Sequence, residues 1–157
     1  LTEKLGVDAV SFGGTKNGLL FGEIALIYNS EAQKHFRYIR KQNMQLPSKM
    51  RFLSTQFYEL LNEPHALWRE IAHHGHEVAL YLENGLKQFA KVQITQKVQA
   101  NSVFVKIPRS WLKPLREEFF FYVWDETELE MRLMISFDVT KKDIDRFLDV
   151  MRKMTTI

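Results

Sequence analysis

Cysteine is absent from the 157 residues. That removes disulfides, thiolate zinc sites and cysteine nucleophiles, and leaves histidine, carboxylate and lysine chemistry to consider. Long apolar runs are missing as well, since none approaches the roughly 20 residues that a membrane helix needs. The N-terminus has no charged-then-apolar layout of a secretory leader, so the expected location is the cytoplasm and no membrane partner is expected. An excess of one charge is also lacking, with 22 basic residues against 19 acidic ones and a net charge of +3. The only dense basic stretch is residues 34–41, where Phe36 and Ile39 fall at helix-packing positions rather than as base-stacking platforms. Nucleic acid is therefore not expected as a partner. No methionine opens the chain, which begins at Leu1, and we expect a truncated or proteolysed piece of a longer protein. What remains is 45% hydrophobic and 13% aromatic, enough for one domain or two small lobes.

The hydrophobic period changes along the chain and marks its layout. Residues 8–12 form a short apolar run, Gly13-Gly14-Thr15-Lys16-Asn17-Gly18 is turn chemistry, and residues 19–28 are a second apolar run. Two buried strands meeting at a glycine-rich bend are expected. A helix over about residues 31–45 follows Ser30 as its N-cap and breaks before Pro47. Met50, Leu53, Phe57, Leu60 and Leu61 keep helical spacing, and Pro64 suits the first turn of a third helix with the stripe Leu67, Ile71, Val78, Leu82, Leu86 and Phe89.

The last third alternates instead. Residues 94–98 and 102–107 read as strands, Ser110 caps a short helix, and residues 119–124 and 129–137 flank the polar turn of residues 125–128. In the last strand Met131, Leu133, Ile135 and Phe137 share the packing face, which turns Arg132, Met134 and Ser136 away from it. Thr140 caps a closing helix with Asp143 three residues on, and its stripe is Ile144, Phe147, Leu148 and Met151. Helices on one face of an antiparallel sheet make an α/β sandwich lobe. Trp68, Trp111, Trp124 and residues 119–121 are expected in the core.

Three groups of residues could bear chemistry. A lysine at a bend between two buried strands has little water around it, which penalises the ammonium and frees the neutral amine as a nucleophile. Around Lys16, the glycines would let a flat ring approach, and the amides of Gly13, Gly14 and Thr15 with the Thr15 hydroxyl could receive a phosphate. On spacing alone, the commoner outcome is a hairpin turn whose lysine lies in solvent. Arg132 could grip a carboxylate with two parallel hydrogen bonds, or be a surface arginine on a half-exposed sheet. The cluster His73-His74-Gly75-His76-Glu77 could offer two ligands from one helix face, short of a full metal site, and no metal is expected.

The stretch Asp8-Ala9-Val10-Ser11-Phe12-Gly13-Gly14-Thr15-Lys16-Asn17-Gly18 resembles the cofactor-lysine segment of low-specificity threonine aldolases. The resemblance continues in Gly22-Glu23-Ile24-Ala25, Arg40-Lys41-Gln42, Met44-Gln45-Leu46 and Ser48-Lys49-Met50-Arg51. It resumes in Ala100-Asn101-Ser102-Val103-Phe104, Met131-Arg132-Leu133-Met134 and Ser136-Phe137-Asp138, so it covers essentially the entire chain. It implies an α/β chain that is the C-terminal part of a pyridoxal-phosphate (PLP) enzyme of fold type I, as in aspartate aminotransferase. Residues 1–29 would end the large-domain sheet, 30–90 would form connecting helices, and 91–157 a small α/β sandwich domain.

Carried over, the cofactor-bearing lysine is Lys16, Thr15 lies beside it, and the arginine that binds the substrate carboxylate is Arg132. Arg51 matches an arginine near the cofactor or the subunit interface. The implied reaction is cleavage of threonine or allo-threonine to glycine and an aldehyde. Implied partners are an amino-acid substrate, further copies in a dimer or tetramer, and a missing N-terminal half without which the chain would be inactive. Other family residues that stack on the cofactor ring or meet its pyridine nitrogen have no counterpart here. Two alternatives stay open: a PLP-dependent β-eliminating lyase, and a non-catalytic fragment acting as an oligomerisation module.

Overall fold

A computed structural model describes residues 3–155, so Leu1, Thr2, Thr156 and Ile157 lie outside the described residues. The chain divides between Trp68 and Arg69 into two compact units. In the first, the N-terminal apolar run becomes β1 (Ala9–Gly13), paired antiparallel with β2 (Glu23–Ile27) in a register that sets Ala9 opposite Ile27 and Gly13 opposite Glu23. β2 is shorter than the apolar run suggests, because residues 19–22 close the bend. The amide of Gly14 donates to the Gly22 carbonyl at 3.0 Å, and Leu19 donates to the Gly14 carbonyl at 3.3 Å.

The expected burial of these strands is not found: among β1 and β2 no residue is fully buried. Apolar composition calls for a covering layer, and a ribbon whose two strands pair only with each other supplies none. Helix α1 (Ser30–Gln42) is capped by Asn29, not Ser30, with the Asn29 carboxamide oxygen accepting from the Glu31 and Ala32 amides at 3.0 and 3.1 Å. An extended residue with a free acceptor is what a cap requires, and Ser30 is already helical. Helix α2 (Arg51–Leu61) buries Phe57 and Leu60. Pro64 does not open the next helix, since it sits in a turn after a cis peptide bond and α3 (Leu67–Leu86) starts three residues later.

The second unit holds a four-stranded antiparallel sheet in the order β3, β4, β6, β5. Its strands are β3 (Gln93–Ile94), β4 (Ser102–Lys106), β5 (Tyr122–Asp125) and β6 (Glu130–Met134). On β4 and β6 the period of two is strict: Val103, Val105, Met131 and Leu133 are buried, while Phe104, Lys106, Arg132 and Met134 are not. The buried set packs against Val78, Leu82 and Leu86 of α3, Trp111 and Leu115 of α4 (Arg109–Glu118), and Ile144, Phe147, Leu148 and Met151 of α5 (Lys141–Thr155). Full burial of a side chain such as Leu115 or Met131 contributes about 1.5–3 kcal/mol.

Thr140 and Asp143 form the expected reciprocal cap of α5. The Thr140 amide donates to the Asp143 carboxylate at 2.8 Å, and the Asp143 amide to the Thr140 hydroxyl at 3.4 Å. The Thr140 hydroxyl, and then its amide, hold the Asp143 carboxyl below the ordinary carboxylate range. The cap therefore supports α5 above that range and is lost in acid, as the carboxylate takes up its proton.

Other local expectations change. Pro108, not Ser110, precedes α4, and it supplies no side-chain cap. Phe137 is 44% exposed because β6 ends at Met134 and the alternation stops with it. Trp111 and Phe121 are core, but Phe120 and Trp124 stand 86% and 58% exposed, and Trp68 in the first unit is 41% exposed. Hydrophobic size alone does not say which face of an edge strand is covered.

Candidate active site

Lys16 is at the middle of a single 3-10 turn, Thr15–Asn17, between β1 and β2. The turn is tightly tied. The Asn17 amide donates to the Gly14 carbonyl at 2.9 Å, its carboxamide to the Gly13 carbonyl at 3.1 Å, and the Gly18 amide to the Thr15 carbonyl at 3.3 Å. Gly18 closes it at φ 89°, a left-handed conformation that L side chains resist. From α2, the Gln56 carboxamide oxygen receives the Leu20 amide at 2.9 Å. Lys16 itself is exposed and makes no ion pair or hydrogen bond among the described residues. The shielding from water expected for it is not provided by this ribbon.

The glycines have a different role from the one expected. A Cβ on Gly14 would lie 2.6 Å from a Leu19 methyl and 2.8 Å from the Phe57 ring, and one on Gly13 would lie 2.8 Å from the Glu23 carboxylate. Gly14 is small because the bend packs on Leu19 and Phe57, whereas the exposed Glu23 carboxylate can swing away from Gly13; the Gly14 amide, already bonded to Gly22, is not free for a phosphate. Thr15 is exposed beside Lys16, and its hydroxyl is one donor on this turn. Gly14→Ala should push Phe57 aside and lower the stability of this unit by about 1–3 kcal/mol. Thermal unfolding of the variant beside Gly18→Ala, with a cost of roughly 1 kcal/mol, measures it.

Arg51 opens α2 in the same unit, exposed, with its guanidinium 5.1 Å from the Phe52 ring centroid. Among the described residues it makes no hydrogen bond or ion pair with the turn, and the α2 residues that meet the bend are Gln56 and Phe57.

Arg132 belongs to the second unit, on the uncovered face of β6, as its register position requires. Its guanidinium carbon is 5.3 Å from the Trp124 ring centroid and 5.9 Å from that of Phe104. Its Nε is shut off from solvent without an acceptor. Lys106 on the same face, by contrast, is paired with Glu128 at 2.6 Å. Arg132 is thus a partly exposed cation with no anionic partner among the described residues. Sequence reading missed the two rings around it, although the spacing of Tyr122 and Trp124 in an edge strand next to Arg132 was the signal available.

The histidines are otherwise engaged. His74 bonds the Val139 carbonyl at 2.8 Å, His76 the Ala100 carbonyl at 3.3 Å, and His73 lies 3.2 Å from Glu77.

A strand-turn-strand lysine segment followed by helices and an antiparallel α/β sandwich has the architecture of the C-terminal part of fold type I. In sequence and structure the chain resembles low-specificity threonine aldolases over their C-terminal portion. It is 38% identical over 118 residues to the low-specificity L-threonine aldolase of a Pseudomonas species, covering 75% of this chain and 34% of that protein. With the enzyme of the same name from Pseudomonas aeruginosa it is 32% identical over 157 residues, 100% of this chain and 44% of that protein. The structure of Leishmania major threonine aldolase superposes with a TM-score of 0.81 at 26% identity, over 94% of this chain and 43% of that one. This chain therefore spans less than half the length of each of these proteins. No family model matches it.

Proposed function

We propose that this chain supplies the cofactor lysine and the carboxylate-binding arginine of a PLP-dependent threonine aldolase, with an N-terminal portion outside these 157 residues completing the site. The observation that supports the reading most is the state of Lys16: an amine without a partner among the described residues, on a turn tied by hydrogen bonds, within the stretch that resembles the family's lysine segment. A free amine on a rigid support fits the attachment of an aldehyde cofactor, and the Thr15 hydroxyl and the Arg51 guanidinium fit its phosphate. PLP when bound supplies the conjugated system that accepts the electrons left at Cα.

In this reading Lys16 would hold the cofactor through Nζ. Arg132 grips the substrate carboxylate, and with it fixes which bond at Cα is broken. The substrates are threonine and allo-threonine, the location is cytoplasmic, and the assembly is a dimer or tetramer. The exposed apolar side chains of the first unit, among them Leu20 at 83% and Phe21 at 59%, support burial against further protein. The division into a large-domain end at 1–29, connecting helices at 30–90 and a small domain at 91–157 belongs to the same proposal.

Product analysis tests it. The complete polypeptide given PLP and L-threonine should yield glycine and acetaldehyde in equal amounts. A keto acid with ammonia would instead identify a β-eliminating lyase, and no turnover with cofactor bound would identify a non-catalytic module.

A further inference from the structure

The face of the sheet that carries Arg132 is not a bare polar surface. Phe104 on β4 stands directly opposite Arg132 in the register. On the other side, the pairing of β5 with β6 shifts between Val123 and Asp125, leaving Trp124 between the two paired positions. The Phe104 and Trp124 rings meet edge to face at 5.7 Å and 84°, and the guanidinium sits in the corner between them. Nε lies on the closed side, without an acceptor, while neither Nη nitrogen is shut off.

We propose that Phe104 and Trp124 are positioning residues for Arg132, and that the guanidinium therefore takes a carboxylate end-on, through its two Nη nitrogens. Ring faces attract a cation without using its N–H donors, whereas an acidic neighbour would occupy them. Two rings at a right angle fix the plane of the guanidinium and keep water from one side of it. The buried Nε removes the alternative side-on geometry, in which Nε and one Nη share the carboxylate. Glu128 is taken by Lys106, and no acidic side chain occupies the donors of Arg132 among the described residues.

This inference rests on the reading of Arg132 as the carboxylate-binding group, and its test separates the two. In the complete polypeptide with PLP, Trp124→Ala and Phe104→Ala should each raise KM for L-threonine about tenfold with little change in kcat. Trp124→Phe should restore the original KM, and neither alanine variant should alter KM for L-threoninamide, which has no carboxylate. Glycine dissociation constants from calorimetry should give the same ranking without turnover. If Arg132→Lys weakens glycine binding while both alanine variants bind it as the unaltered protein does, the positioning role is wrong and the carboxylate assignment stands. If Arg132→Lys also binds glycine normally, the assignment itself falls and the inference with it.

Discussion

Lys16→Ala in the complete polypeptide should lower the rate of threonine cleavage by at least about a thousandfold, because it removes the one nucleophilic amine on the turn. Lys16→Arg should fail equally, since a guanidinium is not a nucleophile at neutral pH. Stability should hardly move. Lys16 is exposed, without a partner among the described residues, and outside the contacts that tie the turn, so either substitution should stay within about 0.5 kcal/mol. A large kinetic effect with an unchanged unfolding midpoint is the signature to look for. A parallel fall in both would mean that Lys16 supports the bend rather than the chemistry.

The second large effect is expected at Arg132. Two charge-assisted hydrogen bonds to a carboxylate are lost in Arg132→Ala, and Arg132→Lys keeps the charge without the fork, so KM for threonine should rise about ten- to a hundredfold even in the lysine variant. Because no anion accepts from Arg132 among the described residues, its removal strands no buried partner. Steady-state kinetics with L-threonine checks this. Equal KM for the lysine variant and the unaltered protein would return Arg132 to the role of a surface arginine.

How far the sequence could be read depended on what each residue faces. The second unit was legible because it contains its own covering layer. The alternation Met131, Leu133, Ile135 against Arg132 and Met134 became a buried and an open face, and the stripe Ile144, Phe147, Leu148, Met151 became the buried side of α5. The Thr140 and Asp143 cap was legible because it is local.

The first unit resisted the same reasoning. Residues 8–12 and 19–28 have core composition, yet composition states a preference for burial and not whether a second layer is at hand, and the observed ribbon is half exposed. Gly14 was explained by a ligand in the sequence and by Leu19 and Phe57 in the structure, since a Cβ clash has no sequence signature. Trp124 was placed inside on size alone, whereas a register shift at an edge strand sets it against Arg132. Of the candidate site, the positions of Lys16 and Arg132 came from resemblance and strand parity. Their surroundings came only from geometry.

The central claim, that Lys16 bears the cofactor, is tested most directly by borohydride reduction of the complete polypeptide with PLP, followed by peptide mapping by mass. A reduced cofactor adduct on the peptide containing Lys16, lost in Lys16→Ala, is the expected result. An adduct confined to another lysine, or none despite bound cofactor, would contradict it.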